Sequence, residues 1–309
     1  MCQAEGRGVE ERVCRESAES LREAPKEPVQ RPPQRPRNIH QGARVLAPVL
    51  LVVKLGGSAV TDKARPFLFK EQRARLFARE LARVLATGGK AVIVHGGGSF
   101  GHPVASKYKL HEGGLTGEKL LGFAETRYWM NELNQRIVGV LLRHGIPAVA
   151  VQTSAIALME NGSLRELSTA PVERFLEMGL VPTLYGDVVP DLGRGISILS
   201  GDVIAARLAC ALGASALIFL IGSGGVYSKP PGAPGAYLIR ELGEEDMIEV
   251  GESKGVDVTG GLRQKLEYAF KAARCGVRVA IGGLEHLWEM ALGIDAPYTK
   301  IRVDQPRAR

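Results

Sequence analysis

The sequence predicts an α/β protein layered around a mostly parallel sheet. Two observations carry this expectation: short continuous apolar runs of strand length, and amphipathic helical stretches that alternate with them. A third, glycine clusters placed directly after several of the strands, points to ligand-facing turns along one sheet edge.

The layered part begins near Val45. Residues 49–54 are an unbroken apolar run ending in Lys54, as a strand buried on both faces requires. Residues 70–86 place Leu76, Phe77, Leu81, Val84 and Leu85 at helical spacing, and Thr87-Gly88-Gly89 stops the helix. Residues 91–94 are the next strand. Residues 117–144 read as a long helix, with Gly145 as its stop and Pro147 just beyond. Strands follow at 146–151, 181–184, 216–221 and 277–281, with helices at 203–212 and 261–275.

Residues 1–44 differ from the rest. They are rich in Glu, Arg, Pro and Gln, and cannot bury enough apolar surface to offset their ordering entropy, so a disordered extension is expected. Its Pro-rich 31–37 stretch reads as extended linker, and a short helix fits around 10–22. Its many glutamates argue against an organelle address.

The chain of 309 residues carries a formal net charge of +7. The charges are scattered and aromatics are few, which argues against nucleic acid and suits small anionic substrates. No apolar run reaches the 18–20 residues of a spanning helix, and no apolar signal core opens the chain, so no membrane association and a cytoplasmic location are expected. Cys2, Cys14, Cys210 and Cys275 show no metal-ligand spacing, and buried free thiols in a reducing compartment are expected.

Five motifs carry the chemistry. Lys54-Leu55-Gly56-Gly57-Ser58 follows the first strand: its glycines bring backbone amides to an anion, and Ser58 adds a hydroxyl or caps a helix. Lys63 follows in Thr61-Asp62-Lys63. Residues 92–102 run from a strand through His95 and the triplet Gly96-Gly97-Gly98 to His102, a donor that titrates near neutrality. Tyr185-Gly186-Asp187 follows another strand. Ser200-Gly201-Asp202 opens a helix, where Asp202 either caps it or orients phosphate-gripping lysines. Asp257-Val258-Thr259-Gly260-Gly261 precedes Lys265 by about one turn, aiming helix-start amides and an ammonium at one point. Lysines, glycine turns and a histidine along one edge describe phosphoryl transfer, which needs in-line positioning and charge neutralisation. No carboxylate pair stands at metal spacing, so no protein metal site is expected and Mg²⁺ is expected on the nucleotide phosphates.

In this order the motifs resemble the amino acid kinase superfamily, and within it the isopentenyl phosphate kinases, from about residue 49 to 303. His102 after Gly96-Gly97-Gly98-Ser99-Phe100-Gly101 is the discriminating residue. The resemblance implies a three-layer αβα sandwich, with a substrate-phosphate part at about 45–190 and an ATP-binding part at about 191–309. It implies ATP and Mg²⁺ as cofactors, an isoprenyl monophosphate as acceptor, and a homodimer. Lys54, Lys63 and Lys265 would hold the nucleotide phosphates and the transferred group. Gly56, Gly57, Ser58, Gly98 and Gly261 would face ATP, Gly97, His102 and Gly186 the substrate phosphate, and Asp202 would organise the lysines. An acidic turn common in relatives, Asp-x-Asp-Gly-Val-Tyr, is replaced here by Gly222-Ser223-Gly224-Gly225-Val226-Tyr227. Phe123, Tyr128, Met130, Leu133 and Ile137 are candidates for the tail pocket, set against ordinary core packing. A kinase of this fold for another phosphate or a phosphonate, and a nucleotide-binding regulator without catalysis, are the alternatives.

Overall fold

The computed structural model describes residues 49–62, 64–246 and 260–303. The 1–44 extension, Lys63 and the 257–259 turn lie outside them. In chain order the elements are β1 (Leu50–Leu55), α1 (Gly57–Val60), α2 (Glu71–Ala86), β2 (Lys90–His95), α3 (Gly98–Lys107), α4 (Gly117–Arg143), β3 (Ala148–Ala150), β4 (Ala157–Glu160), β5 (Ser163–Leu167), α5 (Ala170–Glu177), β6 (Val181–Tyr185), β7 (Asp187–Asp191), β8 (Gly195–Leu199), α6 (Gly201–Ala211), β9 (Ala216–Leu220), β10 (Glu241–Leu242), α7 (Gly260–Arg274), β11 (Arg278–Gly282), α8 (Leu287–Leu292) and β12 (Thr299–Ile301).

Eight strands form one sheet in the order β10-β12-β11-β9-β1-β2-β6-β3, parallel at every junction except β11–β12. Strands before residue 190 lie to one side of β9, and those after it to the other side of β1. Side-chain alternation divides the core. Leu51, Val53 and Leu55 of β1 pack with α2, α4 and α8, whereas Val52 packs with α5, α6 and α7 on the opposite face. Helices therefore cover both faces, and the central parallel strands are mostly apolar because neither face meets water there. The same period of two sends Lys54 to the α6 and α7 side.

Local chemistry sets the boundaries. In α2, Ala74, Phe77, Ala78, Leu81 and Val84 are buried at helical spacing, and the Thr87 hydroxyl donates to the Val84 carbonyl at 2.7 Å to end the helix. In α4, Thr116 caps the start by accepting from Lys119 N–H. α6 opens two residues before the predicted 203, because Ser200 is its N-cap and accepts from Asp202 N–H at 3.2 Å.

Three findings depart from the sequence reading. β4, β5, β7 and β8 form a second, four-stranded sheet. Asp191 holds it together, accepting from the backbone N–H groups of Asn161, Gly162, Gly193 and Arg194 and from the Ser197 hydroxyl. Secondly, the glycine-rich segment that holds His102 is the helix α3, despite Pro103 inside it. Thirdly, Cys210 in the last turn of α6 and Cys275 just beyond α7 form a disulfide, with Cα atoms 5.7 Å apart. The ends of two adjacent helices bring them together, and Cys275 is exposed, so the expectation of buried free thiols is corrected for this pair.

Candidate active site

The site stands at the carboxyl edge of the sheet. Register places Leu55 of β1 beside His95 of β2 and Leu220 of β9, and His95 beside Tyr185 of β6, so these strands end level. A glycine follows β1, β2 and β6 directly: Gly56, Gly96 and Gly186. The turns are packed against one another. A Cβ on Gly57 would collide with the Gly98 amide, one on Gly56 would stand 2.7 Å from the Leu220 carbonyl, and one on Gly186 would stand 2.8 Å from Gly201 N. Gly98 also needs its glycine for a φ of +48°.

Lys54 ends its run of inward-facing residues only 7 % exposed. Its Nζ lies 2.9 Å from Asp202 Oδ1 in the first turn of α6. Lys265 of α7 reaches the same carboxylate, 2.9 Å from Oδ1 and 3.0 Å from Oδ2. Asp202 is therefore not the helix cap; it joins two lysines from different elements. Burial pushes Asp202 upward, but Lys54 and Lys265 outweigh it and hold the carboxyl below its ordinary range. Burial, reinforced by the neighbouring Lys54 ammonium, pushes Lys265 down to about 8 against the opposing pull of Asp202. Two ammonium groups against one carboxylate leave positive charge in excess in a buried place, an arrangement suited to an anion.

His102 lies on α3, exposed, in the second turn from the glycine junction. Gly97 is the residue before that helix, and the Met130 Sδ lies under it, 3.3 Å from where a Cβ would be. Gly261, in the first turn of α7, is exposed, and among the described residues outside its own helix none has an atom within 4 Å of a Cβ position. Ser58 sits within α1 and makes no cap bond; its hydroxyl is 3.8 Å from a Cβ position on Gly222. The acid-free 222–225 turn thus adjoins the first glycine motif. The structure brings Lys54, Asp202 and Lys265 together beside Gly56, Gly57, Gly96, Gly98, Gly186 and Gly201.

Of the tail-pocket candidates, Leu133 and Ile137 belong to the core between α4 and the sheet, and Tyr128 is exposed. His95 is structural: it is fully buried, its Nδ1 lies 3.1 Å from the Gly96 carbonyl, and it stacks on Tyr185 at 5.4 Å. Burial lowers its pKa to about 4. Sequence reasoning assigned no role to Arg127 and Asp187. Arg127 Nε lies 3.5 Å from the buried Asp187 carboxylate, beside Gly186, and burial raises Asp187 to about 6. The adjoining Tyr-Gly-Asp motif was the available signal. Nothing in the local sequence marked Arg127, which reaches Asp187 across the fold from α4.

The amino acid kinase family model matches residues 49–283. The chain is 34 % identical to the isopentenyl phosphate kinase of Methanothermobacter thermautotrophicus over 242 residues, covering 75 % of this chain and 90 % of that relative. The chain belongs to the amino acid kinase family, among its isopentenyl phosphate kinases. The Arabidopsis thaliana isopentenyl phosphate kinase is 32 % identical over 288 residues, covering 74 % and 86 % of the two chains. A crystallographic isopentenyl phosphate kinase superposes with a TM-score of 0.71 at 30 % identity, covering 82 % of this chain and all of that one. Carbamate kinase from Giardia lamblia, at 15 % identity and a TM-score of 0.62, shares the fold alone. The αβα sandwich expected for an amino acid kinase is the architecture found, with the second small sheet added to it.

Proposed function

We propose that this kinase transfers the γ-phosphoryl group of ATP to isopentenyl phosphate, giving isopentenyl diphosphate and ADP. The convergence of Lys54, Asp202 and Lys265 beside a row of glycine turns carries the reading, in a chain whose relatives are named for that acceptor. Phosphoryl transfer spreads negative charge over the equatorial oxygens of a loose transition state, so fixed cations in a dry site lower its energy. Lys54 and Lys265 supply those cations, and Asp202 fixes their position. The family resemblance assigns Lys63, which lies outside the described residues, to the nucleotide phosphates, with Gly56, Gly57, Ser58, Gly98 and Gly261 admitting them. Gly97 and Gly186 admit the acceptor phosphate, and His102 donates a hydrogen bond to it. Mg²⁺ accompanies the nucleotide phosphates and neutralises their charge. Among the described residues no group of three or more His, Cys, Asp or Glu is placed to hold it.

A homodimer belongs to the same proposal. Leu121, Tyr128 and Leu142, seven and fourteen residues apart, stand exposed on one side of α4. So does a cytoplasmic location; among the described residues no helix is long and apolar enough to cross a membrane. ADP release measured with ATP, Mg²⁺ and a panel of isoprenyl and non-isoprenyl monophosphates and phosphonates tests the acceptor. Turnover is expected with isopentenyl phosphate. Turnover confined to another acceptor would reassign the substrate, and nucleotide binding without transfer to any acceptor would replace the kinase by a regulator.

A further inference from the structure

We propose that Thr61 is a positioning residue for phosphoryl transfer, its hydroxyl fixing the turn after β1 against the start of α3. The proposal deepens the kinase reading and rests on it. Thr61 is completely buried. Its Oγ1 donates to the Gly57 carbonyl at 2.8 Å and accepts from Ser99 N–H at 3.1 Å. One hydroxyl therefore spends its donor on the first glycine motif and an acceptor lone pair on the second. The two motifs approach closely here: a Cβ on Gly98 would collide with this oxygen.

A second bond ties the same residue. In an α-helix the Ser99 carbonyl would accept from the N–H of residue 103, four positions on. That residue is Pro103, which has no N–H, and Phe67 N–H takes the carbonyl instead at 3.1 Å. Both backbone groups of Ser99 are thus bound to the segment that runs from Thr61 to Phe67. Lys63 belongs to that segment, and His102 follows Ser99 by three residues on α3. The stitch links the chain segment of the nucleotide-side lysine to the helix of the acceptor-side histidine. In-line transfer depends on that spacing, because rate falls steeply with small misplacement of the reacting groups.

The test compares Thr61→Val, which keeps shape but loses both hydrogen-bonding functions, with Thr61→Ser, which keeps them. Thr61→Ala, with no added bulk, replaces the valine variant if that one does not fold. Steady-state ADP release with isopentenyl phosphate, thermal melting, and hydrogen exchange over residues 96–101 of the ATP-bound chain are measured together. Loss of at least 30-fold in kcat is expected for the hydroxyl-free variant, with both KM values within about threefold of wild type, faster exchange at Ser99, and recovery of most of kcat in Thr61→Ser. Equal losses in the valine and serine variants, a loss confined to melting temperature, or unchanged exchange at Ser99 overturns the proposal. A wild-type chain inactive on isopentenyl phosphate contradicts the acceptor assignment; the Thr61 variants are then compared on the acceptor that the monophosphate panel identifies, and a wild-type chain inactive on every acceptor overturns the positioning role.

Discussion

Lys265 Nζ lies 2.9 and 3.0 Å from the two carboxylate oxygens of Asp202, and the nearer oxygen is shared with Lys54. This places one buried anion between two cations drawn from β1 and α7, and makes Asp202 the joint of the proposed phosphate site. Asp202→Ala leaves two buried ammonium groups without a partner. Stability is expected to fall by about 3–5 kcal/mol in denaturant unfolding, as for other broken buried pairs. Turnover is expected to fall by about two orders of magnitude or more. A variant of wild-type stability and rate would remove Asp202 from the site.

The lowered pKa of Lys265 gives a pH limb. With its proton lost above about pH 8, the free enzyme loses a cation that nucleotide phosphates need, so kcat/KM for ATP is expected to decline on that side. Bound phosphates favour the charged form, which moves the limb in kcat to higher pH. In Lys265→Arg the cation does not titrate, and the limb near 8 is expected to vanish at a reduced maximum rate. A flat wild-type profile between pH 7 and 9.5 would contradict this.

His95 lowers stability toward acid pH, separately from the alkaline limb that Lys265 gives in activity. Its folded pKa of about 4 lies below the unfolded value of 6.5, so the unfolded chain takes up a proton that the folded chain excludes. Its effect is absent above about pH 6.5 and grows as pH falls toward 4, reaching roughly 3 kcal/mol of lost stability. His95→Asn is expected to flatten that part of the stability profile, read from urea unfolding at a series of pH values.

The Cys210–Cys275 disulfide spans 65 residues of chain. Cross-links of this kind contribute roughly 2–4 kcal/mol, so Cys210→Ser is expected to lower the unfolding midpoint under oxidising conditions and to have no such effect in dithiothreitol. Thiol titration of the unfolded chain is expected to count two fewer cysteines before reduction than after it on account of this pair. Equal counts before and after would return the pair to free thiols.

Six strands of the central sheet were legible as short apolar runs, which the parallel, doubly covered sheet imposes, and β1, β2 and β6 are closed directly by glycine; the short strands β10 and β12 at one edge, with Glu241, Thr299 and Lys300, carry no such run. The placement of Lys54 at a strand end and of Lys265 in the first turns of a helix was legible for a related reason, whereas Asp202 stood open between capping α6 and joining the lysines, which only the spatial meeting of β1, α6 and α7 decides. The second sheet was not legible. Ser163, Arg165 and Glu166 of β5 are exposed or polar, the β4–β5 register shifts between Leu158 and Met159, and its coherence comes from Asp191 reaching five partners through space. The α3 helix was hidden by Gly98, Gly101 and Pro103, residues of poor helix propensity, which this fold accepts because Phe67 satisfies the carbonyl that Pro103 leaves open. The disulfide was hidden because no local spacing reports that two helix ends meet.

The measurement that bears most directly on the phosphoryl-transfer assignment is ADP release from ATP with isopentenyl phosphate, compared between the wild-type chain and His102→Ala. The wild-type chain is expected to turn over. The variant is expected to lose at least 100-fold in kcat/KM for the acceptor while ATP binding and the melting temperature stay near wild type. No ADP release from the wild-type chain, or undiminished turnover without the imidazole, would contradict it.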